Sequence, residues 1–257
     1  AGRFFFQTRR PVFGLYFIYG PLVMREKEVD NIHFYTYFRP ANASKSDAYI
    51  ATAADILSFY AARFGAFPYE KMAIVDTPLP PFLGGVGPAS LMMLQDEMVD
   101  HPKVPTFLLA HELAHQWFGN YVPIAIMHPG YSQWLSEGFA TYADALYTEK
   151  LGGPAALAKH MEQYAQLYFQ FLVSARQMPT VLNCPANSPF YRPLVYEKGA
   201  LTLQALRKVM GDKKFFDLLR TWIVDFHDRP QSVEDFTTLA GKVDGSDLGW
   251  LFDEWLK

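Results

Sequence analysis

The sequence predicts an α+β protein, in which a small N-terminal β-sheet is followed by a mostly α-helical lobe. Three observations carry this prediction. Residues 12–20 and 31–39 are rich in aromatic and β-branched side chains, as strands are. Residues 71–78 and 89–97 show the same preference on either side of a Pro/Gly-rich loop. After residue 104, apolar side chains recur at helical spacing instead.

The predicted helices follow the helical period of 3.6 residues and end at glycine or proline. The first lies within residues 41–65, where Ser46 and Asp47 suit its start and Gly65 ends it. Ser232 and Asp235 form a possible capping box for a later helix. The remaining predicted helices cover residues 105–119, 132–153, 155–175, 196–211, 213–227 and 247–257.

The composition of the chain excludes several classes of function. Its 257 residues are half hydrophobic, which is enough for a large core, and the net charge of −3 argues against nucleic-acid binding. The longest uncharged apolar stretch, residues 12–24, is too short and too interrupted to span a bilayer. Cys184 is the only cysteine, so no internal disulfide is expected and the compartment stays undetermined. Because the first residue is Ala1, we expect a processed chain or part of a longer protein.

The stretch HELAHQWFGN, residues 111–120, places ionisable side chains in an otherwise apolar helix. Each residue advances a helix by about 100°, so His111 and His115 lie about 40° apart, with Glu112 on the same side. Two imidazoles so spaced can bind one zinc ion, while the carboxylate reaches a water on the metal. Glu137, in the apolar segment WLSEGFATY, is the expected third ligand.

Each of these residues also has an ordinary structural interpretation. An HExxH pattern occurs by chance in many unrelated proteins, a single buried histidine is usually a hydrogen-bonded core residue, and a single glutamate is usually a cap or half of an ion pair. All these interpretations would have to hold together within a short segment. The pattern therefore favours a metal site.

Three motifs resemble those of the aminopeptidase N family of zinc metallopeptidases, the gluzincins with a thermolysin-like catalytic domain. They are HELAHQWFGN, WLSEGFATY and YEKGA, in the family's order. The resemblance covers residues 48–257 and implies the thermolysin-like catalytic domain there. Residues 1–47 resemble the end of the family's N-terminal β domain. A longer parent protein with further domains is therefore expected.

The resemblance also implies roles for individual residues. It assigns one zinc ion to His111, His115 and Glu137, and makes Glu112 the general base. Tyr196, in YEKGA, matches the tyrosine that supports the transition state, while Tyr191 is the runner-up and could instead contact the substrate. The expected partner is a peptide substrate.

Two features depart from the family's pattern. The segment between the second histidine and the ligand glutamate is three residues longer than usual, and the surplus is expected in the loop at residues 123–132. His128 in this loop is expected to be a solvated residue rather than a spare ligand. The family's exopeptidase signature is Gly-x-Met-Glu-Asn, whose glutamate binds the α-amine of the substrate. Gly87 stands in place of that glutamate, and Pro88 in place of the asparagine.

The glycine-rich segment still suits peptide binding through its backbone. Gly84, Gly85, Val86 and Gly87 allow a close approach by an extended peptide, which would add a strand. Three functions therefore stay open. The first is an aminopeptidase-like zinc peptidase, the second is a peptidase that needs no free N-terminus, and the third is a zinc-binding domain with weak or no catalysis.

Overall fold

The computed structural model describes residues 5, 7–12, 14–80, 82–125, 132–174 and 179–257. It confirms the predicted fold class, because a five-stranded sheet precedes a lobe made of helices. No helix in the described part of the chain is long and apolar enough to cross a membrane. The loop residue His128 lies outside the described residues.

The sheet is mixed, with strand order β1-β2-β3-β5-β4. β1 (Val23–Val29) and β2 (Ile32–Phe38) form an antiparallel hairpin. β3 (Lys71–Thr77) runs parallel to β2, and β5 (Leu91–Gln95) runs parallel to β3. β4 (Gly85–Val86) pairs antiparallel with β5 alone and therefore forms one edge of the sheet.

The strand predicted at residues 12–20 is wrong. The described residues of this stretch have no regular structure, and their large side chains Leu15, Phe17 and Tyr19 are exposed. The first strand is β1, whose central residues are charged and exposed, so it carried no hydrophobic signal. The turn at Asp30 and Asn31 joins β1 to β2 and so sets their pairing. Both residues adopt positive φ, as this kind of two-residue hairpin turn requires. The strands predicted at 31–39, 71–78 and 89–97 are confirmed.

Eight α-helices are present among the described residues, joined by shorter helical segments. The α-helices are α1 Ser46–Phe64, α2 Asp96–Asp100, α3 Thr106–Ala114, α4 Glu137–Ser174, α5 Gly199–Met210, α6 Asp212–Asp225, α7 Val233–Asp244 and α8 Gly249–Leu256. Segments Pro40–Lys45 and Gln133–Leu135 are 3-10 helices, and Arg192–Lys198 is a π-helix. Two very short strands, β6 Phe118–Gly119 and β7 Val122–Pro123, pair with each other.

Two helix boundaries differ from the prediction. α3 ends at Ala114, not at Gly119, because the chain turns at residues 115–117 and enters β6. α4 begins only at Glu137, after a 3-10 helix. α4 is interrupted at Gly153, which has a left-handed φ of 75°, so the two separate helices predicted on either side of this point are confirmed. The capping box of Ser232 and Asp235 at the start of α7 is confirmed as well.

The core is one continuous cluster that runs from the sheet through α1, α3 and α4 into α5, α6, α7 and α8. Trp117, directly after α3, is fully buried and donates a hydrogen bond of 3.0 Å from Nε1 to the carbonyl of Gly65 at the end of α1. Its ring packs edge-on against Tyr60 and Phe64 of α1. Trp134 packs in the same way against Phe139 of α4. Phe118, after α3, packs against Phe139 with ring centroids 5.1 Å apart, and this contact holds the start of α4 beside α3.

The domain boundary near residue 47 stays a prediction. β2, before this boundary, and β3, after it, are neighbours in one sheet. The segment before residue 47 therefore shares its hydrogen bonds with the rest of the described chain.

Candidate metal centre

Three side chains converge where α3 meets the start of α4. Nε2 of His111 lies 3.3 Å from Oε2 of Glu137, and Nε2 of His115 lies 3.4 Å from the same oxygen. One ligand atom from each of the three residues lies within 4.8 Å of the others. This is the one such group found among the described residues, and it is the set that the sequence predicted. The three atoms could hold a metal ion.

The turn after α3 orients the second histidine. Nδ1 of His115 lies 3.1 Å from the carbonyl oxygen of Phe118 and 3.2 Å from Oγ of Ser136. A carbonyl oxygen only accepts hydrogen bonds, so Nδ1 carries the hydrogen and donates it. Nε2 is then the nitrogen that faces Glu137. A histidine held in this way has the tautomer that a metal needs.

Asp144, two helical turns after Glu137 on α4, lies behind His111. Its Oδ2 lies 3.7 Å from Nδ1 of His111. Its Oδ1 accepts a hydrogen bond of 2.8 Å from the hydroxyl of Tyr164 and lies 3.1 Å from Nε2 of His160. On the other side, the ring of Tyr196 stacks nearly parallel on His111, with ring centroids 5.8 Å apart. The imidazole is therefore held on both its edge and its face.

The electrostatics of this cluster favour a positive charge where the side chains meet. Burial alone would lower the pKa of His111, but the carboxylates of Asp144, Glu137 and Glu112 outweigh it and raise the pKa to about 10. Burial alone would raise the pKa of Glu137, but His115 and His111 lower it below its usual range. The same carboxylates would stabilise a cation bound where the side chains meet.

Glu112 lies beside the triad but is not one of its members. Its side chain is buried against β4, since a Cβ atom added to Gly85 would lie 2.9 Å from Cγ of Glu112. Burial raises the pKa of the Glu112 carboxyl. A carboxylate with a raised pKa is suited to take up a proton.

Two polar residues that sequence reasoning missed fix the glycine-rich segment to the turn after α3. The fully buried Gln116 accepts a hydrogen bond from the backbone N–H of Ser90 at 2.7 Å and donates one to the carbonyl of Pro88 at 3.0 Å. Asn120 donates to the carbonyl of Gly87 at 2.8 Å. Their sequence signal was the presence of amides within an otherwise apolar, buried stretch. Asp144 was missed as well, although it lies seven residues, or two helical turns, after Glu137 and so on the same face.

All the residues predicted for the site line one open cleft of about 1100 Å³. The triad and Glu112 lie at its centre, and Tyr196 lies beside them. Tyr191 and the glycine-rich segment line it as well, and all ten are Gly84, Gly85, Val86, Gly87, His111, Glu112, His115, Glu137, Tyr191 and Tyr196. The structure brings them together, and their individual roles stay predictions.

The family of the chain follows from its sequence and this geometry together. Residues 49–255 match the family described as the Peptidase family M1 domain. The chain belongs to peptidase family M1. Among curated M1 relatives, aminopeptidase N of Homo sapiens is 28% identical over 82% of this chain, and aminopeptidase N of Rattus norvegicus is 27% identical over 78%. Aminopeptidase M1 of Arabidopsis thaliana is 26% identical over 89%.

Solved M1 structures resemble the chain in fold as well. The M1 zinc metallopeptidase from Deinococcus radiodurans superposes with a TM-score of 0.74 at 26% identity, covering 93% of this chain and 52% of the Deinococcus chain. A mutant of that protein has been solved with a Tyr-Ser-Ala substrate bound, and it is 25% identical to this chain with the same TM-score of 0.74. The M1 chain described here spans about a quarter of the length of the three curated relatives named above, whose matched shares are 24%, 23% and 27%.

Proposed function

We propose that this M1 chain is a zinc-dependent metallopeptidase with aminopeptidase-like activity, and that one zinc ion binds to His111, His115 and Glu137. The observation that carries the proposal is the convergence of two imidazole Nε2 atoms and one carboxylate oxygen within 4.8 Å. Two nitrogen ligands and one oxygen ligand, with a further position open, form the donor set of catalytic zinc sites. When bound, zinc would supply a Lewis acid that polarises the substrate carbonyl and lowers the pKa of a coordinated water.

Glu112 is the proposed general base. It lies next to His111 in sequence and lines the same cleft, and it is not one of the three proposed metal ligands. Because burial raises the pKa of its carboxyl, it can accept the proton of the attacking water and pass it to the leaving amine.

Tyr196 is the proposed hydrogen-bond donor to the oxyanion. Burial and the nearby carboxylate of Glu137 raise the pKa of its phenol, so the hydroxyl keeps its proton at neutral pH. Stacking on His111 fixes the ring in place. A preorganised donor of this kind typically stabilises the transition state by roughly 3–4 kcal/mol.

The edge strand β4 is the proposed binding place for the peptide backbone. It pairs with β5 on one side only, and its residues Gly85 and Val86 line the cleft, together with Gly84 and Gly87 beside them. An extended peptide could add to this edge as a further strand. Tyr191, on the wall of the same cleft, is the proposed side-chain contact.

A peptidase that needs no free N-terminus is the second candidate function, and the surroundings of Gly87 favour it. A Cβ atom at this position would lie 2.4 Å from the backbone carbonyl oxygen of Glu112, so no carboxylate side chain fits there without a shift of the backbone. The carboxylate that the family resemblance leads us to expect as partner of the substrate α-amine is therefore absent at position 87.

Because the chain spans only part of its relatives, further domains of the parent protein are part of this proposal too.

The first test replaces Glu112 with glutamine in the whole 257-residue chain. We expect the variant to bind zinc at the wild-type ratio and to lose hydrolysis by several orders of magnitude, because the amide cannot accept the proton. Elemental analysis and a peptide cleavage assay measure the two properties. Glu162→Gln, which changes an exposed glutamate on α4, is the control with the same change of charge. Undiminished turnover in Glu112→Gln would remove this residue as the base.

A second test separates the two candidate functions. Wild-type protein loaded with zinc is given a short peptide with a free N-terminus and the same peptide with an acetylated N-terminus. A preference of more than about tenfold in kcat/KM for the free form would support the aminopeptidase, since one charged hydrogen bond is worth roughly that factor or more. Equal rates would support the second candidate.

A further inference from the structure

The wall of the cleft behind His111 carries a second acidic group that the proposed mechanism does not use. Glu197, in the π-helix Arg192–Lys198, lines the cleft directly after Tyr196, yet its side chain is only 3% exposed. Oε1 of Glu197 accepts a hydrogen bond of 3.1 Å from Nε of Arg192. Oε2 has neither solvent nor any hydrogen-bond partner. Buried carboxylate oxygens without a donor are costly and rare.

The charges around Glu197 are not balanced by its one partner. The side chain of Arg192 is 80% exposed, so water screens its pairing with Glu197. Asp144 lies near enough to act on Glu197 as a second negative charge, and burial first, then Asp144, raises the pKa of the Glu197 carboxyl. The carboxylates of Glu197 and Asp144 both line the cleft; Asp144 faces His111 and His160, while Arg192 is the one basic side chain paired with Glu197 among the described residues.

On these grounds we propose that Glu197 binds the cationic side chain of a lysine or arginine in the substrate, next to the bond that is cleaved. The proposal rests on the peptidase function proposed above and adds a substrate class to it. An ammonium or guanidinium group that enters beside the exposed Arg192 would give Oε2 the donor that it lacks, once the side chains that exclude solvent from Oε2 move apart.

The position of Glu197 favours a side chain over the α-amine as the ligand. His111 turns Nε2 toward Glu137, while Asp144 lies at its opposite edge, beside Nδ1. Glu197 belongs to that opposite side, together with Asp144 and Tyr164. The α-amine is only one carbon atom away from the scissile carbonyl and stays close to the triad. A lysine side chain adds a flexible four-carbon stem, which gives it the longer reach.

The test compares peptides that differ in charge but not in shape. Two pairs of peptides are compared, arginine against citrulline and lysine against norleucine. In each pair, the varied residue is placed first on one side of the cleaved bond and then on the other. We expect wild-type protein to prefer the cationic peptide at one of these positions by roughly tenfold in kcat/KM. This comparison needs no variant. Equal rates for all the pairs would overturn the proposal and leave the peptidase function standing.

Glu197→Gln keeps the size of the side chain and removes its charge, so the cationic preference should fall to near one. Glu162→Gln, an exposed change on α4, should keep the wild-type preference. Circular dichroism checks the folding of both variants. A preference that persists in Glu197→Gln would overturn the proposal, and so would a variant that loses discrimination between free and acetylated N-termini instead.

Binding of the same peptides separates this proposal from the peptidase function. Calorimetry on zinc-loaded Glu112→Gln, with and without Glu197→Gln, measures affinity where no hydrolysis is expected. Tighter binding of the arginine peptide than of the citrulline peptide, lost in the double variant, would support the cation site even if the wild-type chain cleaved nothing. Equal affinities would overturn it.

Discussion

At the residue scale, the site depends on which nitrogen atom of each histidine is free. The Nδ1 atoms of His111 and His115 face Asp144 and the carbonyl of Phe118, so both Nε2 atoms are left to point at Glu137. The groups that face the two Nδ1 atoms orient both side chains as ligands. An oriented ligand set loses little conformational entropy on binding, which favours high affinity.

The role of Tyr196 is tested by removing one oxygen atom. Tyr196→Phe keeps the ring that stacks on His111 and removes the hydroxyl, so we expect zinc content to stay and kcat to fall by roughly 10²–10³. Steady-state kinetics and elemental analysis measure both. Tyr191→Phe is the matched variant in the same cleft, and a larger loss of kcat there would exchange the roles of the two tyrosines.

At the element scale, the close approach of two segments shapes the cleft. The glycine-rich segment around β4 lies against α3, and amide side chains after α3 hold it there. Glycine is required where the gap between the two backbones is smallest. Gly87 meets this condition, because its Cβ would lie 2.4 Å from the backbone carbonyl oxygen of Glu112, whereas a Cβ at Gly85 would lie 2.9 Å from the Glu112 side chain.

Gly87→Ala should therefore destabilise the protein by about 1–3 kcal/mol and reduce turnover, since its Cβ would meet the Glu112 carbonyl and displace the base. Urea unfolding and kcat measure the two effects. Gly84→Ala is the matched control three residues earlier, because its Cβ would make ordinary contacts of 3.5 Å and 3.6 Å with Leu108. Equal stability of the two variants would contradict the packing argument.

At the scale of the whole molecule, the triad joins parts of the chain that are distant in sequence. His111 lies on α3 and His115 directly follows it, Glu137 begins α4, and Tyr196 comes from a π-helix almost sixty residues further on. A ligand that binds such a site stabilises the fold as a whole, because the unfolded chain does not bring these residues together.

Zinc should accordingly raise the unfolding temperature. At 100 times the dissociation constant, the ion would stabilise the folded state by about 2.7 kcal/mol. That corresponds to roughly 5–10 °C for a chain of this size. Differential scanning calorimetry with zinc and with a chelator measures the shift. Glu137→Ala, which removes one of three ligands, should show no such shift and should bind little zinc. A wild-type response in this variant would place the third ligand elsewhere.

A structural feature could be predicted when the sequence pattern that indicates it lies within one short segment. The spacing of His111, Glu112 and His115 within one helix is a local pattern, and the structure places them as expected. The edge strand β1 was missed because its exposed, charged residues carry no hydrophobic signal. The exposed aromatic stretch at residues 12–20 was misassigned for the opposite reason, since strand-like composition forms a strand only where a partner is present to accept its hydrogen bonds.

The sequence by itself determined the α+β class, most helices and the proposed metal-ligand set, because periodicity, caps and motif spacing act over a few residues. Only the tertiary structure decided three other features. It placed Asp144 behind His111, closed the space around Gly87 and left one oxygen of Glu197 without a donor. Each of these depends on the distance between side chains from different elements, which packing sets and no local pattern encodes.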